Sequence, residues 1–476
     1  MMEETFQIHP LGWENDPEEE RMKVAMSNYL PGLCYNIYVL YFRLNEAERT
    51  PAVEVLKAGL ARTLSQARQL CGRVEKDAEG GHSFVKQKDS TVRLDVQWLD
   101  AQDDCCPSLD DLENANFRIS ALGPPERWII PEMKFGERPE CHMDNSPLIC
   151  AFKASLVPGG LVFAMHHHHC ANDLLGWAGF THQLAENCYA IRNGTPFPHW
   201  DMACLDLGRF SRPVVPKEME VDGPGAPPLR PNPPPAEALL FCLSKDKAAE
   251  LKKLCHPLDG SWISTHDAFS AFIWRTLTRV RSPVYSPDPS APLMWMGPVN
   301  LRPRLNPPKV PERLQQNVTS AAISTRSEVP APTAAEVLSE WPLSRLAAYI
   351  RMLTNAVSEE RFAPRLDLLA TVRDKTSVGF RVGSLPPMSV FQTDHRNANV
   401  TSADFGFGTP LRYRQLMDAP VDLVLVYPPR KSDGGLEFLI TIERDLTQVL
   451  LEDPEWNSYF EYLGVDTVDA GEGDQL

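Results

Sequence analysis

Leu161-Val162-Phe163-Ala164-Met165-His166-His167-His168-His169-Cys170-Ala171-Asn172-Asp173-Leu174-Leu175-Gly176-Trp177 is the stretch on which the reading of this chain turns. Its apolar start completes a hairpin: Leu148 to Val157 is largely apolar, Pro158-Gly159-Gly160 turns, and Leu161 to Met165 is apolar again. Beyond the histidines, Leu174, Trp177, Leu184, Cys188 and Ile191 recur on one helical face, which Asn193-Gly194 closes. The histidines thus sit where a buried strand gives way to a helix. Because strand side chains alternate between faces, at most two of the four share one.

Three readings of the run stand side by side. The imidazoles can be a polar strand end satisfied by hydrogen bonds. They can be metal ligands, although no cluster of the H-E-x-x-H kind accompanies them and no metal is expected. Or one of them, His169, can be a general base, since an imidazole titrates near neutrality and can take a proton from an attacking alcohol or amine. Acyl transfer suits such a base because the nucleophile arrives as a second substrate. No G-x-S-x-G elbow is present, which turns the reading away from hydrolases. Cys170 adjoins His169, but neighbouring side chains project in different directions, and it is not expected to be the nucleophile.

Outward from this motif, Cys34 to Phe42 and Thr91 to Leu99 read as strands. Between them a helix is expected from Thr50-Pro51, carried by Val53, Leu56, Leu60, Leu64 and Ala67 and stopped by Gly72. Residues 212–236 break all periodicity. Gly223 to Pro235 is the most proline-rich stretch and should run extended and semi-rigid as a crossover. The pattern then resumes: a strand at Ala238 to Leu243, helices at Thr265 to Val280 and Pro332 to Val357, and a strand pair at Val421 to Tyr427 and Leu436 to Glu443. The expectation is a mixed α/β chain, α+β-like, with domains at 1–211 and 237–476 joined by that crossover.

Bulk properties narrow the partners. A formal net charge of −16 argues against nucleic acid, whose binding rests on Lys and Arg neutralising phosphates. No apolar run is long enough to span a membrane, and Met1-Met2-Glu3-Glu4-Thr5 lacks a secretory n-region, so a cytoplasmic protein is expected. The 11 cysteines, odd in number and without a C-x-x-C pair, read as reduced thiols.

At this point the motifs resemble a known family. His168-His169-Cys170-Ala171-Asn172-Asp173 resembles the H-H-x-x-x-D signature of BAHD acyltransferases, and Asp404-Phe405-Gly406-Phe407-Gly408 resembles their D-F-G-W-G. Leu56 to Arg73, Ser264 to Trp274, Val299 to Arg304 and Asn317 resemble further family segments, so the likeness covers nearly the whole chain. Its flavour is that of fungal members acylating secondary metabolites, such as trichothecene acetyltransferases. The resemblance implies a monomer of two similar-sized sandwich domains of the CoA-dependent acyltransferase fold, with a channel between them. It implies no permanently bound cofactor, an acyl-CoA co-substrate (acetyl-CoA by family habit), and a small-molecule acceptor. It further implies that His169 is the base and that Asp173 pairs with Arg302 to orient the loop. Asp404, Gly406 and Gly408 would be structural, and Thr393 would be a donor to the reaction's oxyanion.

The sequence departs from the family pattern at Leu174, where glycine is usual, at Val299-Asn300 before Arg302, at Phe407, and at His395, where tryptophan is usual. Two rivals accompany the reading: a carrier-dependent condensation-type domain, and a binding protein that kept the fold without the activity.

Overall fold

Strand and helix positions follow from the apolar spacing in most of the chain. The computed structural model describes residues 2–99 and 106–467. Met1, 100–105 and 468–476, and with them the outer ends of the two expected domains, lie outside the described residues. The main elements form a six-stranded sheet, a seven-stranded sheet and a small three-stranded sheet. Among the described residues no helix is long and apolar enough to cross a membrane.

The six-stranded sheet runs in the order Met2–Ile8, Val92–Trp98, Cys150–Val157, Gly160–His168, Tyr35–Arg43, Arg412–Leu416. The expected hairpin is its centre: Cys150 faces His167 and Val157 faces Gly160 across an antiparallel pair. On its other side the histidine strand pairs with Tyr35–Arg43, which sets Tyr35 opposite His168 and Ile37 opposite His166. Tyr35–Arg43 is buried along nearly its whole length, which explains its aromatic and branched run from Ile37 to Phe42. Helix Leu174–Asn193 packs on helix Arg49–Gln66 beside this sheet and ends on Gly194 at φ 64°. Arg49–Gln66 begins ahead of the expected Thr50-Pro51 start. A reciprocal cap between Asn45 and Glu48 supplies the signal, in a short turn that leads directly into the helix.

The seven-stranded sheet runs Thr319–Ile323, Trp295–Asn300, Val390–Asp394, Leu423–Val426, Leu436–Glu443, Ala236–Leu243, Phe460–Val465. Helices Thr265–Tyr285 and Leu343–Asn355 pack on each other beside it. The single helix expected over 332–357 is divided. Pro342 lacks an N–H and caps the later helix, and a five-residue π-turn, Glu336–Glu340, precedes it. The stretch 212–235 has one short 3-10 turn and is pinned along its course. Val221 bridges Val372, and Arg230 donates to the Leu385 carbonyl and the Asp422 carboxylate.

One strand crosses the expected partition of the chain. Arg412–Leu416, from the second half, closes the six-stranded sheet against Tyr35–Arg43, which would otherwise present an open edge. The Asp404 to Gly408 segment delivers the chain there. Asp404 Oδ1 accepts from the Gly406 amide (2.8 Å), and the Phe405 amide donates to the Gly408 carbonyl. Phe405 and Phe407 set their rings edge-on to Phe42 of the first sheet, at 5.0 and 5.4 Å. Gly406 is at φ 79°, and a Cβ there would stand 2.8 Å from Arg192 Cβ and 3.0 Å from Tyr189 Cα. Gly406→Ala should therefore cost about 1–3 kcal/mol of stability in chemical denaturation, while the folded variant keeps its turnover. A loss of turnover with stability unchanged would show that the segment takes part in the chemistry.

Candidate active site

Three of the four histidines are absorbed by the fold. His166 Nε2 accepts from the Ile130 amide (3.1 Å). His168 Nε2–H donates to the Cys141 carbonyl (2.7 Å), while its Nδ1 accepts from the Cys170 amide (3.1 Å). His167 packs its ring on Tyr38 at 5.0 Å. All three are buried. Burial lowers the pKa of His166 to about 3 and of His168 to about 4, and lowers His167 strongly as well, so all three are neutral at physiological pH. Three rings of the run are thus buried and neutral, His166 and His168 held by main-chain hydrogen bonds and His167 by packing alone.

His169 is the partly exposed one. Its Nδ1 lies 3.3 Å from the Asn172 carbonyl oxygen, which can only accept, so Nδ1 carries the proton and Nε2 keeps its lone pair. Burial lowers the pKa of His169 below the ordinary imidazole value, with Asp173 and the Asn172 carbonyl pulling the other way. A neutral ring with a bare Nε2 is what a general base needs. Cys170 is buried and its thiol is pushed well up by desolvation, so it is not a thiolate nucleophile. Among the described residues no group of three or more His, Cys, Asp or Glu side chains is arranged to hold a metal ion.

The loop from His169 to Asp173 is held by side chains from the second half of the chain. Asp173 caps helix Leu174–Asn193 by accepting from the Gly176 amide (2.8 Å). It also accepts both Arg302 Nη atoms at 2.9 Å, the Val318 amide (2.8 Å) and the Thr319 hydroxyl (2.7 Å). Burial raises its pKa, but the Arg302 charge and these bonds outweigh it and hold the carboxyl below its usual range. Asp173 is therefore occupied by Arg302 and the helix start, and no hydrogen bond joins its side chain to His169 among those of the described residues.

Sequence reasoning missed the carboxamides around this loop. Asn317 Nδ2 donates to the carbonyls of His169 (2.9 Å) and Cys170 (3.2 Å), and its amide donates to Asn28 Oδ1 (3.0 Å). Gln316 donates its amide to Asn172 Oδ1. Asn317 is flagged by the resemblance alone. Asn28 and the Gln315-Gln316 pair carry no spacing signal, because their partners, Asn28 with Gln316 and Asn317 and the two glutamines with Asn172, lie far away in sequence.

The departures have local explanations. Gly176, two residues beyond the usual glycine position, comes so near Asn172 that a Cβ would meet its Oδ1 at 2.6 Å and the Gln316 carbonyl at 3.0 Å. Asn300 accepts the Arg302 amide (3.1 Å) and Nη1 (3.3 Å), so a neutral carboxamide supports the arginine where a carboxylate is usual. Thr393 is the next-to-last residue of the strand Val390–Asp394 and is partly exposed, with its Oγ1 3.2 Å from His395 Nε2. The buried His395 touches the other edge of the aromatic cluster, its ring 6.2 Å from Tyr38 and its Nδ1 2.9 Å from the Tyr413 hydroxyl. Burial lowers its pKa to about 4 against the opposing pull of the Asp394 carboxylate, and a proton on His169 would lower it further.

Residues 34–188 match the trichothecene 3-O-acetyltransferase-like N-terminal domain. Acetyltransferase FGR3 of Gibberella zeae is 54% identical over 468 residues, covering 97% of this chain and 94% of that protein. The crystal structure of F. graminearum TRI101 complexed with coenzyme A and deoxynivalenol superposes with a TM-score of 0.75 at 22% identity, over 94% of this chain and all of that one. Vinorine synthase superposes with a TM-score of 0.67 at 18% identity, over 97% and 99%.

Asp173→Asn should leave the Arg302 guanidinium buried without its counter-charge and cost about 3–5 kcal/mol. Thermal unfolding should register this as a large drop in Tm. A Tm equal to the parent's would show that the pair does not hold the loop.

Proposed function

The chain belongs to the trichothecene 3-O-acetyltransferase-like branch of the BAHD acyltransferases, and from that premise we propose that it moves an acetyl group from acetyl-CoA to a hydroxyl or amine of a small hydrophobic secondary metabolite. The observation that carries the mechanism is the bare Nε2 of a neutral, partly exposed His169 on a loop fixed by Asp173 and Arg302.

His169 Nε2 takes the acceptor's proton as its oxygen or nitrogen attacks the thioester carbonyl. The carbonyl oxygen becomes an oxyanion, toward which Thr393 Oγ1–H is the proposed donor. Collapse of the tetrahedral intermediate breaks the C–S bond. The CoA thiolate leaves and receives the proton from the His169 imidazolium. Nothing covalent forms on the protein. Asp173 and Arg302 position the loop, and Asp404, Gly406 and Gly408 act through the fold. Residues 1–211 and 237–476 are the proposed domains, with 212–236 as the crossover and Arg412–Leu416 returning to the first.

We place the protein in the cytoplasm as a monomer. The buried cysteines Cys71, Cys141, Cys150, Cys170, Cys188, Cys204, Cys242 and Cys255 are thiols outside any disulfide, which supports a reducing compartment.

The test is acceptor-dependent CoA release from acetyl-CoA across a panel of hydroxylated terpenoids, alkaloids and polyketides. His169→Ala should lower the rate roughly 10²- to 10⁴-fold, and a variant that keeps parental turnover sinks the general-base reading. The pH profile supplies a second check. The base must be deprotonated, and burial lowers its pKa from 6.5. The acid limb of kcat/KM should therefore fall below that ordinary value, with activity lost as pH drops through the shifted pKa. A limb above it would point to a different group.

A further inference from the structure

Thr393, His395 and Tyr413 form one hydrogen-bonded row: Thr393 Oγ1 to His395 Nε2 at 3.2 Å, and His395 Nδ1 to the Tyr413 hydroxyl at 2.9 Å. We propose that this row fixes the direction of the Thr393 hydroxyl, so that His395 and Tyr413 are positioning residues that reserve its proton for the reacting carbonyl oxygen. The inference rests on Thr393 being the oxyanion donor proposed above.

The number of protons available to the row decides the direction of each bond. A neutral imidazole has one N–H and one bare nitrogen. Tyr413 is buried, and among the described residues the hydrogen bonds give its hydroxyl no partner but His395 Nδ1. If Nδ1 carried the proton, the phenol would accept it and its own O–H would be left without an acceptor in the interior, the arrangement buried hydroxyls avoid. The phenol therefore donates, Nδ1 is bare, and the imidazole proton sits on Nε2. That N–H points at Thr393 Oγ1, which accepts. Having accepted from the imidazole, the threonine keeps its own O–H to donate elsewhere, and Thr393 is partly exposed while both partners are buried. The opposite tautomer would take the Thr393 proton into the row and leave only lone pairs facing the substrate.

The surroundings hold the ring in place. The His395 amide donates to the Val426 carbonyl (2.8 Å), the Ala398 amide donates to the His395 carbonyl (3.1 Å), and the Tyr38 ring meets the imidazole edge-on. Burial keeps His395 neutral near pH 7, which the count requires. Tyr38 carries the row across to the first half: its ring lies 5.7 Å from Tyr413 and 5.0 Å from His167. Tyr413 itself lies on Arg412–Leu416, the strand that returns to the first sheet. A histidine at position 395 thus does its work only because that strand brings a phenol beneath it.

The direct test is ¹⁵N NMR of histidine-labelled full-length protein, with the His395 signals assigned by their loss in His395→Gln. The expected result is one tautomer, with a pyridine-type Nδ1 and a pyrrole-type Nε2. Tyr413→Phe removes only the phenol oxygen and should turn this into a mixture or reverse it. A wild-type Nδ1–H tautomer overturns the proposal, and so does a Tyr413→Phe spectrum unchanged from wild type.

The kinetic arm uses acetyl-CoA alone, with water as the attacking group, so it needs no identified acceptor. Thr393→Val should slow its hydrolysis roughly 10²- to 10³-fold, and Thr393→Ser should restore it. Tyr413→Phe should lower kcat with KM for acetyl-CoA unchanged, and should add nothing in the Thr393→Val background. Additive losses would mean that Tyr413 acts through general stability and would overturn the proposal. Unchanged hydrolysis in Thr393→Val would instead overturn the donor role of Thr393, leaving the tautomer measurement to stand by itself.

Discussion

The Asp173 carboxylate accepts five hydrogen bonds: two from the Arg302 guanidinium and one each from the Gly176 amide, the Val318 amide and the Thr319 hydroxyl. A carboxylate offers about four lone-pair sites, so its capacity is filled. Three of these donor residues come from the second half of the chain and one starts the helix after the histidines. A single buried anion therefore fixes the helix start, the loop that carries His169 and the docking of the 302–319 segment. Removing it from water is costly, and the bidentate arginine with its added donors is what offsets that cost. The loop's main chain is held as well, because Asn317 reaches the His169 and Cys170 carbonyls.

The same packing explains why one imidazole in four is left partly exposed. Strand alternation puts His166 and His168 on the face where main-chain groups of Ile130 and Cys141 meet them, and puts His167 and His169 on the other. On that second face Tyr38 covers His167. His169 lies one residue past the strand and escapes cover. In the proposed step the charge on His169 would arise among three buried imidazoles and beside His395, all kept neutral by desolvation. None of these four rings adds a like charge against the imidazolium, and Asp173 favours it.

Much of this was legible in the sequence where local physics decides. The hairpin ending in the histidines, the helix after them and the late strand pair carry periodicity and turn residues of their own. What stayed hidden depends on long-range pairing. Met2–Ile8 is mostly exposed and joins the sheet only through Val92–Trp98. Arg412–Leu416 earns its place as an edge cover for a strand hundreds of residues earlier. The small sheet of Glu19–Lys23, His82–Gln87 and Arg73–Lys76 left no clear pattern. Asn28 and Gln316 serve main-chain and amide partners, and such service leaves no spacing behind. Spacing alone left a base at His169, a satisfied strand end and a metal site as alternatives; the fold buries His166, His167 and His168 and leaves His169 partly exposed.

The departures from the family pattern separate by what each position must do. Leu174 is tolerated because the close approach that needs a glycine falls at Gly176, against Asn172 and Gln316. Asn300 replaces a carboxylate but still accepts from Arg302, whose charge is already balanced by Asp173. Phe407 only has to fill space beside Phe405 and Phe42, and a phenyl ring does so without the indole N–H that would need a partner there. His395 differs in kind, because an indole offers one donor and no acceptor, whereas an imidazole has both. An imidazole at this position must have its tautomer decided by a neighbour, and Tyr413 is placed to decide it. The substitution and the returning strand therefore form one constraint: with the phenol present the imidazole behaves as the one-way donor an indole would be, and without it the proton on Thr393 is no longer committed.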